Sequence, residues 1–326
     1  MFFTRKTVLL PIKIMQNLLY KFNMSVVISH LSKVFGTQKA VNDISFEAKE
    51  GEIIGFLGPN GAGKSTTMKI TTCFLPPTSG SVQVCGYDVV NFSKEVRKNI
   101  GYLPEHNPLY LEMYVKEYLE FIGHIHEIKG NSLQKRINEM IALCGLGLEQ
   151  HKKIGALSKG YRQRVGLAQA MMHNPKVLIL DEPTTGLDPN QIVEIRQVIK
   201  DSAENKTIIF STHIMQEVQA ICSRAIIINL GQIVADSPVS ELKNIQQAET
   251  IIFLETEQAI DISLLEALEG VLSVKNISKN HYEIKSGFQV DVRRAISQLS
   301  VEKNWLIVGL RQEERTLENI FQQLTK

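Results

Sequence analysis

The sequence lacks any apolar run long enough to cross a lipid bilayer. A membrane-spanning helix needs about 20 mostly apolar residues, and no run of about 18 occurs in this chain of 326 residues. We therefore expect a protein that does not span a membrane by itself and that reaches a membrane only through a partner.

Cysteine pairs and an excess of charge of one sign are also missing. The four cysteines stand far apart in the sequence, at Cys73, Cys85, Cys144 and Cys222. This spacing is typical of buried thiols in a reducing compartment and not of a disulfide scaffold or a zinc site.

The formal net charge is only +2, which gives no reason to expect nucleic acid as a partner. A hydrophobic content of 44% is ordinary for a folded protein of one or two domains.

Residues 1–24 read as an N-terminal extension that is either disordered or spurious. Arg5 and Lys6 precede a short apolar stretch, as in a signal peptide, but Lys13 interrupts that stretch and no small-residue cleavage site follows. A membrane-surface helix is an open alternative because MQNLLYKF is weakly amphipathic. Another is that Met24 is the true start.

Residues 25–240 alternate between strand and helix patterns, which predicts an α/β domain with a mainly parallel sheet. The N-terminal stretches VVISHLSKVF and DISFEAK read as additional short strands. Residues 104–172 are rich in helical apolar spacing and predict an inserted helical subdomain. Residues 248–326 follow a polar boundary and predict a small α+β domain with the ferredoxin-like order β-α-β-β-α-β.

GPNGAGKST at 58–66 matches the P-loop pattern G-x-x-x-x-G-K-[ST] between a strand and a helix. Such a loop wraps backbone N–H groups around phosphates at a helix N-terminus. Lys64 is placed to reach the β- and γ-phosphates of ATP, and the Ser65 hydroxyl to bind Mg²⁺. The predicted nucleotide-binding residues are Gly58, Pro59, Asn60, Gly61, Ala62, Gly63, Lys64, Ser65 and Thr66.

VLILDEP at 177–183 predicts a buried strand with two carboxylates at its end. Asp181 lies where ligands of parallel sheets bind, and it is expected to help hold Mg²⁺. Glu182 follows directly and is the natural general base for an attacking water.

The segments between and after these motifs resemble the ABC ATPase family. LSKGYRQ at 157–163 resembles the family's signature sequence, TTGLDP its D-loop, and STH at 211–213 its switch histidine. The resemblance implies a homodimer that sandwiches two ATP molecules between the P-loop of one chain and the signature of the other. In the dimer that the resemblance implies, Ser158 and Gly160 contact the γ-phosphate across the interface, and Asp188 organises that interface. The resemblance also implies that His213 orients the attacking water and that Phe35 stacks on adenine. A core aromatic is the alternative for Phe35.

Three positions depart from the family pattern. Lys159 replaces a glycine, Tyr161 a glutamine, and Glu105 the Q-loop glutamine that links Mg²⁺ to the membrane partner. Glu105 can still bind Mg²⁺, and its alternative is a cap of the following helix. Such departures resemble the drug-resistance and polysaccharide-export branch of the family.

Within residues 100–222 the sequence contains the stretches IGYLPEHNPLYLEMYVKEYL, HKKIGALSKGYRQRVGLA, DEPTTGLDPNQIVEIR and STHIMQEVQAIC. These stretches are similar to the ATP-binding subunit of bacterial gliding-motility ABC transporters. This resemblance implies a transport-coupled ATP hydrolase that powers an exporter of the gliding-motility type. It would bind a separate transmembrane permease at the cytoplasmic face of the inner membrane, as a peripheral subunit. The alternatives are an importer subunit and a soluble ABC ATPase that acts on ribosomes or DNA. Ribosome-acting types usually carry two cassettes, whereas this chain has one P-loop, and the long coiled-coil insertion of DNA-acting types has no counterpart between the motifs.

Overall fold

The computed structural model describes residues 24–242, 249–287, 290–312, 321 and 324–325. The described chain divides into two compact units at the boundary between Val239 and Ser240. The predicted extension, apart from Met24, and most of the predicted final helix lie outside the described residues. No helix in the described ranges is both long and apolar enough to cross a bilayer.

The first unit opens with an antiparallel sheet that has the strand order β2-β1-β4-β5. Its strands are β1 (Met24–Phe35), β2 (Gln38–Lys49), β4 (Ser79–Val84) and β5 (Tyr87–Asp88). Strands β1 and β2 form a hairpin in which Phe35 pairs with Gln38. Gly36 makes this tight turn possible because its φ of 58° is in the left-handed region that glycine adopts without strain.

A second sheet of six strands carries the core of the first unit, in the order β10-β9-β3-β8-β7-β6. Its strands are β3 (Ile53–Leu57), β6 (Ile100–Leu103), β7 (Val177–Asp181), β8 (Thr207–Thr212), β9 (Arg224–Asn229) and β10 (Gln232–Pro238). All neighbours are parallel except β9 and β10. Strand β7 is buried along its whole length, as expected for a central parallel strand covered on both faces.

The helices of the first unit are α1 (Lys64–Thr71), α2 (Ser93–Asn99), α3 (Val115–Ile125), α4 (Gly130–Leu143), α5 (Lys159–Met171), α6 (Pro189–Ser202) and α7 (Met215–Ile221). Helices α3, α4 and α5 lie between strands β6 and β7 in the chain. Helix α3 buries Val115, Leu119 and Ile122, which share one face at helical spacing. The Glu117 carboxylate accepts a hydrogen bond from the Tyr114 backbone N–H at 3.1 Å, which satisfies one of the free donors at the helix start.

The second unit is an α+β fold with an antiparallel sheet in the order β12-β13-β11-β14. Its elements in chain order are β11 (Glu249–Thr256), α8 (Ile262–Glu266), β12 (Val271–Ser278), β13 (His281–Gly287), α9 (Arg293–Glu302) and β14 (Ile307–Gln312). This is the split β-α-β-β-α-β arrangement. Its buried core includes Ile252, Leu254, Tyr282, Ile284 and Ile296.

Candidate functional site

The candidate site lies at one edge of the six-stranded sheet. Strands β3, β6, β7 and β8 are parallel neighbours in that sheet, so their carboxyl ends meet at the same edge. Gly58, Glu105, Glu182 and His213 follow these ends in the chain. Open parallel sheets bind ligands at this edge, and the fold thus brings four separate sequence motifs together.

The P-loop leaves strand β3 and enters helix α1 at Gly63. Gly63 has a φ of 109°, and a Cβ placed there would lie 2.5 Å from the Ala40 carbonyl oxygen, so only glycine fits. The Gly58 backbone N–H donates to the Thr212 carbonyl at 3.3 Å, which joins the P-loop to the end of strand β8. Asn60 and Gly61 are exposed at the tip of the loop, whereas Ala62 is buried.

Lys64 is a buried cation directed back over the loop. Its ammonium donates to the Gly58 carbonyl at 2.7 Å and to the Pro59 carbonyl at 3.2 Å. The same ammonium lies 3.5 Å from the Glu182 carboxylate. A buried charge is unfavourable unless it is paired, and these partners stabilise the ammonium at the phosphate-binding loop.

Asp181 ends strand β7 and contacts two hydroxyl groups. Ser65 donates to its carboxylate at 3.2 Å, and Ser211 donates to the same oxygen. Burial raises the pKa of the Asp181 carboxyl above its usual range, the two hydroxyl donors lower it, and the negative charges of Glu105 and Glu182 raise it again. A nearby cation would reverse this shift because it stabilises the carboxylate form.

Glu182 follows Asp181 and turns the chain sharply away from the sheet. Its φ of 50° is uncommon for a residue that carries a side chain, and the Thr185 hydroxyl donates to its carboxylate at 3.2 Å. The His213 ring lies across from it, with Nδ1 at 2.9 Å and 3.1 Å from the two carboxylate oxygens. The Glu182 side chain is 7% exposed and that of His213 is 43% exposed, so the pair connects the buried site with solvent.

Ser158 and Asp188 both begin helices. The Ser158 hydroxyl accepts a hydrogen bond from the Tyr161 N–H at 3.4 Å at the start of α5, and Asp188 accepts one from the Gln191 N–H at 2.9 Å at the start of α6. The two helix starts contact each other within one chain. A Cβ on Gly160 would lie 2.7 Å from the Gln191 side chain.

Two alternatives from the sequence are wrong. Phe35 is not a core aromatic, since it is 46% exposed and its ring lies 5.1 Å below the Lys33 ammonium. Glu105 does not cap the following helix, because α3 begins only at Val115. Glu105 is instead exposed at the sheet edge, close enough to influence Asp181.

The loop after strand β6 also contacts helix α5. The Asn107 side-chain amide donates to the Arg162 carbonyl at 3.3 Å. The same amide occupies the space beside Gly166 that a Cβ would need. This contact joins the loop that carries Glu105 to the helix that begins at Ser158.

Sequence reasoning missed the supporting hydroxyl groups of the site. Ser211 and Thr185 contact the two carboxylates described above, although neither was assigned a role. Their position offered a signal, because Ser211 precedes the predicted His213 by two residues at the end of a parallel strand, where polar side chains converge on a ligand.

The residues present fit a nucleotide with a divalent cation. Backbone N–H groups at a helix N-terminus and the Lys64 ammonium are suited to phosphates. The Ser65 hydroxyl and the Asp181 carboxylate are hard oxygen donors of the kind that Mg²⁺ prefers, and they lie side by side.

Comparison with protein families gives two matches to the first unit. The ABC transporter model matches residues 41–185, and an AAA domain model matches residues 154–218. Together they include the P-loop, the Ser158 segment, both carboxylates and His213.

Three curated relatives extend over nearly the whole chain. The ABC transporter ATP-binding protein YxlF of Bacillus subtilis is 33% identical over 303 residues, which are 90% of this chain and 97% of that protein. The linearmycin resistance ATP-binding protein LnrL of Bacillus subtilis is 32% identical over 91% of this chain and 96% of its own length. The bacitracin transport ATP-binding protein BcrA of Bacillus licheniformis is 32% identical over 92% of this chain and 98% of its own length.

Solved structures match the first unit. A dimeric bacterial ABC transporter cassette, MJ0796, has a TM-score of 0.61 at 25% identity and covers 66% of this chain and 98% of its own. The same cassette in a post-hydrolysis state with ADP and Pi gives the same score and identity over the same shares. The predicted fold class is confirmed by these neighbours together with the sheets described above.

Proposed function

The chain belongs to the ATP-binding subunits of ABC transporters and is an ATP hydrolase of that family; from this premise we propose that it powers export through a separate transmembrane permease. The observation that carries the proposal is the group formed at the P-loop edge of the sheet by the buried side chains of Lys64, Asp181 and Glu182 and the partly exposed ring of His213. These side chains come from three parts of the chain and meet only in the fold.

In the proposed reaction each side chain has a separate task. Lys64 binds the β- and γ-phosphates, and Glu182 takes a proton from the attacking water as general base. His213 orients Glu182 and the water through the contact at 2.9 Å. When ATP binds, its phosphates replace Glu182 as the partner of the Lys64 ammonium, which leaves the carboxylate free to act on water.

Ser65, Asp181 and Glu105 would hold Mg²⁺, which supplies charge stabilisation at the phosphates. The Ser65 and Asp181 oxygens are adjacent in the fold. Glu105 lies within electrostatic reach of Asp181, which supports its place in this group. The exposed Phe35 ring is available to stack on adenine.

The proposed active form is a homodimer through the nucleotide-binding faces. Ser158 and the Gly160 N–H begin helix α5, where a helix N-terminus favours anions, and they would contact the γ-phosphate bound by the partner chain. Asp188 would organise the interface. The similarity to a dimeric cassette supports this arrangement.

An exposed apolar surface on the helical subdomain supports a permease as partner. We name it the aromatic patch, and it consists of Tyr110, Leu111, Tyr114, Phe121 and Ile125. Tyr110 packs its ring edge against Phe121 at a centroid distance of 5.8 Å. Exposed groups of large apolar side chains mark interaction sites. A permease bound here would hold the chain at the cytoplasmic face of the inner membrane.

The coupling of ATP to the permease is tested at Glu105. Glu105→Ala should lower permease-stimulated hydrolysis more than basal hydrolysis, because the loop of Glu105 connects the site to the helical subdomain. The two rates are measured with and without reconstituted permease. An equal drop in both rates would contradict a coupling role.

Two kinds of export are proposed for the complex. Gliding motility is supported by the similar stretches within residues 100–222. Antibiotic export is supported by the resistance and bacitracin transport relatives, which cover both units of the chain. Deletion of the gene separates them: loss of spreading on agar with unchanged drug sensitivity supports the first, and the reverse result supports the second.

The test of the transporter assignment itself is copurification. A tagged chain should bring down a membrane protein of about six spans from detergent-solubilised membranes. A variant with Tyr110→Ser and Phe121→Ser in the aromatic patch is the matched control and should lose that protein. Recovery of ribosomes or DNA instead would support the soluble alternative.

A further inference from the structure

One buried carboxylate of the first unit belongs to none of the nucleotide motifs. Glu217 lies on helix α7, four positions after His213, and is 0% exposed. The Thr184 hydroxyl donates to one of its oxygens, and the Thr212 hydroxyl donates to the other at 2.6 Å. Thr184 follows Glu182 by two residues, and Thr212 directly precedes His213, so Glu217 holds the segments of both.

The Thr212 hydroxyl is fixed in direction by a second contact. Its oxygen accepts the Ile214 backbone N–H at 3.1 Å, while its proton is donated to Glu217. The turn that carries His213 is therefore held on both sides, by Thr212 and by Ile214. A rotation of this turn would break the contact with Glu217.

Helix α6 provides the third connection. The Arg196 guanidinium lies 4.0 Å from the Glu217 carboxylate. Its Nε atom is buried and has no hydrogen-bond partner among the described residues. The Glu217 carboxylate thus lies at ion-pair distance from a guanidinium on the helix that begins next to Asp188.

A buried ionic contact of this kind is poor evidence for a stabilising role. The desolvation of a carboxylate offsets most of what it gains from its partners, and apolar replacements are often as stable. What the contact does specify is geometry, because both oxygens have fixed donors. Here the donors belong to the loops of Glu182 and His213.

We propose that Glu217 is a positioning residue for ATP hydrolysis. It holds the loop after Glu182 and the turn that carries His213 in a fixed arrangement relative to each other. The proposal rests on the roles given to Glu182 and His213 above. Glu217 is placed to act only through its contacts with Thr184 and Thr212, and it does not itself contact the reacting atoms.

The test is Glu217→Gln in the full chain, assayed with Mg·ATP. The substitution keeps the shape but puts an amide NH₂ where one hydroxyl proton is accepted, and it removes the charge beside Arg196. We expect kcat to fall roughly 10-fold to 100-fold, as for other supporting residues behind a catalytic group. The KM for ATP should stay within about twofold because the P-loop is untouched.

The matched control is Glu139→Gln. Glu139 forms an ion pair with Arg136 on the surface of α4, with the two side chains 2.9 Å apart. It lies on the helical subdomain and was given no role in binding or hydrolysis, so kcat should be unchanged. This control separates the loss of a positioned carboxylate from the loss of an ordinary ion pair.

Three results would overturn the proposal. One is a normal kcat in Glu217→Gln, whether or not its melting temperature drops, since that leaves only a structural role. Another is a rise in KM as large as the fall in kcat. If Glu217→Gln fails to fold, Thr184→Val and Thr212→Val replace it. The third result that would overturn the proposal is a normal kcat in both of these variants.

We expect the two threonines to act together through Glu217. The fold reduction of kcat in the double threonine variant should therefore be smaller than the product of the two single reductions.

Glu182→Gln is run in parallel to separate this proposal from the assignment of the base. A normal rate in Glu182→Gln contradicts the role of Glu182 as base. The Glu217→Gln rate then still decides whether the turn of His213 is positioned by Glu217.

Discussion

The two units of the chain differ in what they bury. The described part of the first unit buries four charged side chains, Lys64, Asp181, Glu182 and Glu217. In the described part of the second unit, the buried polar side chains are all hydroxyls, those of Thr256, Ser286 and Ser300. The second unit is otherwise closed around apolar groups such as Leu254 and Ile284.

The buried charges of the first unit belong to its candidate nucleotide site, whereas the buried groups of the second unit form an apolar core. A buried charge is unfavourable, and each one needs partners that hold it in place. In the first unit those partners are supplied from several loops, which makes the charges precise in position. Apolar packing needs only volume and pattern. We therefore expect substitutions of the buried charges in the first unit to change activity, and substitutions in the apolar core of the second unit to change stability.

The largest expected effect follows from removal of the base. Glu182→Gln should lower ATP hydrolysis by about 10²–10⁴-fold, which is roughly 3–5 kcal/mol of barrier. ATP binding should persist, so the variant should accumulate as an ATP-loaded dimer in size-exclusion chromatography. A variant that stays monomeric at saturating Mg·ATP would count against the proposed dimer.

A core substitution in the second unit is expected to lower stability and to leave ATP hydrolysis nearly unchanged. Leu254→Ala deletes a fully buried side chain and should destabilise that unit by about 2–5 kcal/mol. ATP hydrolysis by the purified chain should remain within about twofold. The measurements are calorimetric melting and initial rates, with the exposed Leu272→Ala on strand β12 as the control. A loss of hydrolysis as deep as in Glu182→Gln would remove the distinction between the units.

Binding and catalysis are separated by Lys64 and Ser158. Lys64→Ala should weaken ATP binding by about 1.5–3 kcal/mol, since it deletes a charged donor to the phosphates. Ser158→Arg should leave ATP binding to the monomer near normal and abolish hydrolysis, because Ser158 serves the nucleotide of the other chain. Titration of both variants with a fluorescent ATP analogue checks this. Equal loss of binding would show that Ser158 acts in its own chain.

The last prediction concerns the stability of the first unit at acidic pH. The rings of His126 and His173 stack at a centroid distance of 3.9 Å. Burial lowers the pKa of both, that of His173 to about 4, with the charge of His126 as a second cause for His173. The unfolded chain therefore binds more protons, and stability should fall as the pH drops from the unfolded value of about 6.5 towards the folded value of about 4.

For His173 we expect a loss on the order of 2–3 kcal/mol across this window. Denaturant unfolding of the first unit at several pH values measures it. His173→Gln should flatten the dependence, and His281→Gln on strand β13 of the second unit is the control. A slope that is the same in both variants and in the natural sequence would exclude the stacked pair as its source.

The sequence allowed the site to be predicted wherever one motif has its own chemistry. The P-loop glycines, Lys64 and Asp181 follow from local patterns, because a strand, a turn and a helix start are encoded within a few residues. The alternation of strands and helices predicted that the strands ending at the ligand-binding edge are parallel, but it did not predict their order in the sheet.

The contacts between motifs could not be predicted in this way. Glu217 meets Thr184 although the two stand 33 residues apart, and no spacing rule connects them. The exposure of Phe35 also depends on how the hairpin of β1 and β2 is placed, since an aromatic residue at a strand end suits a core or a surface equally. Tertiary packing decides such cases, and it is not encoded in a short window.

The glycine at position 166 limits which substitutions this sequence can accept during evolution. Gly166 lies in the interior of helix α5, where alanine would ordinarily be preferred by about 1 kcal/mol. Because the Asn107 amide fills the space beside it, an added methyl group would displace that amide from its hydrogen bond with the Arg162 carbonyl. Drift at position 166 is thus limited by a residue 59 positions earlier in the chain, and descendants with a larger residue there should carry a smaller one at 107.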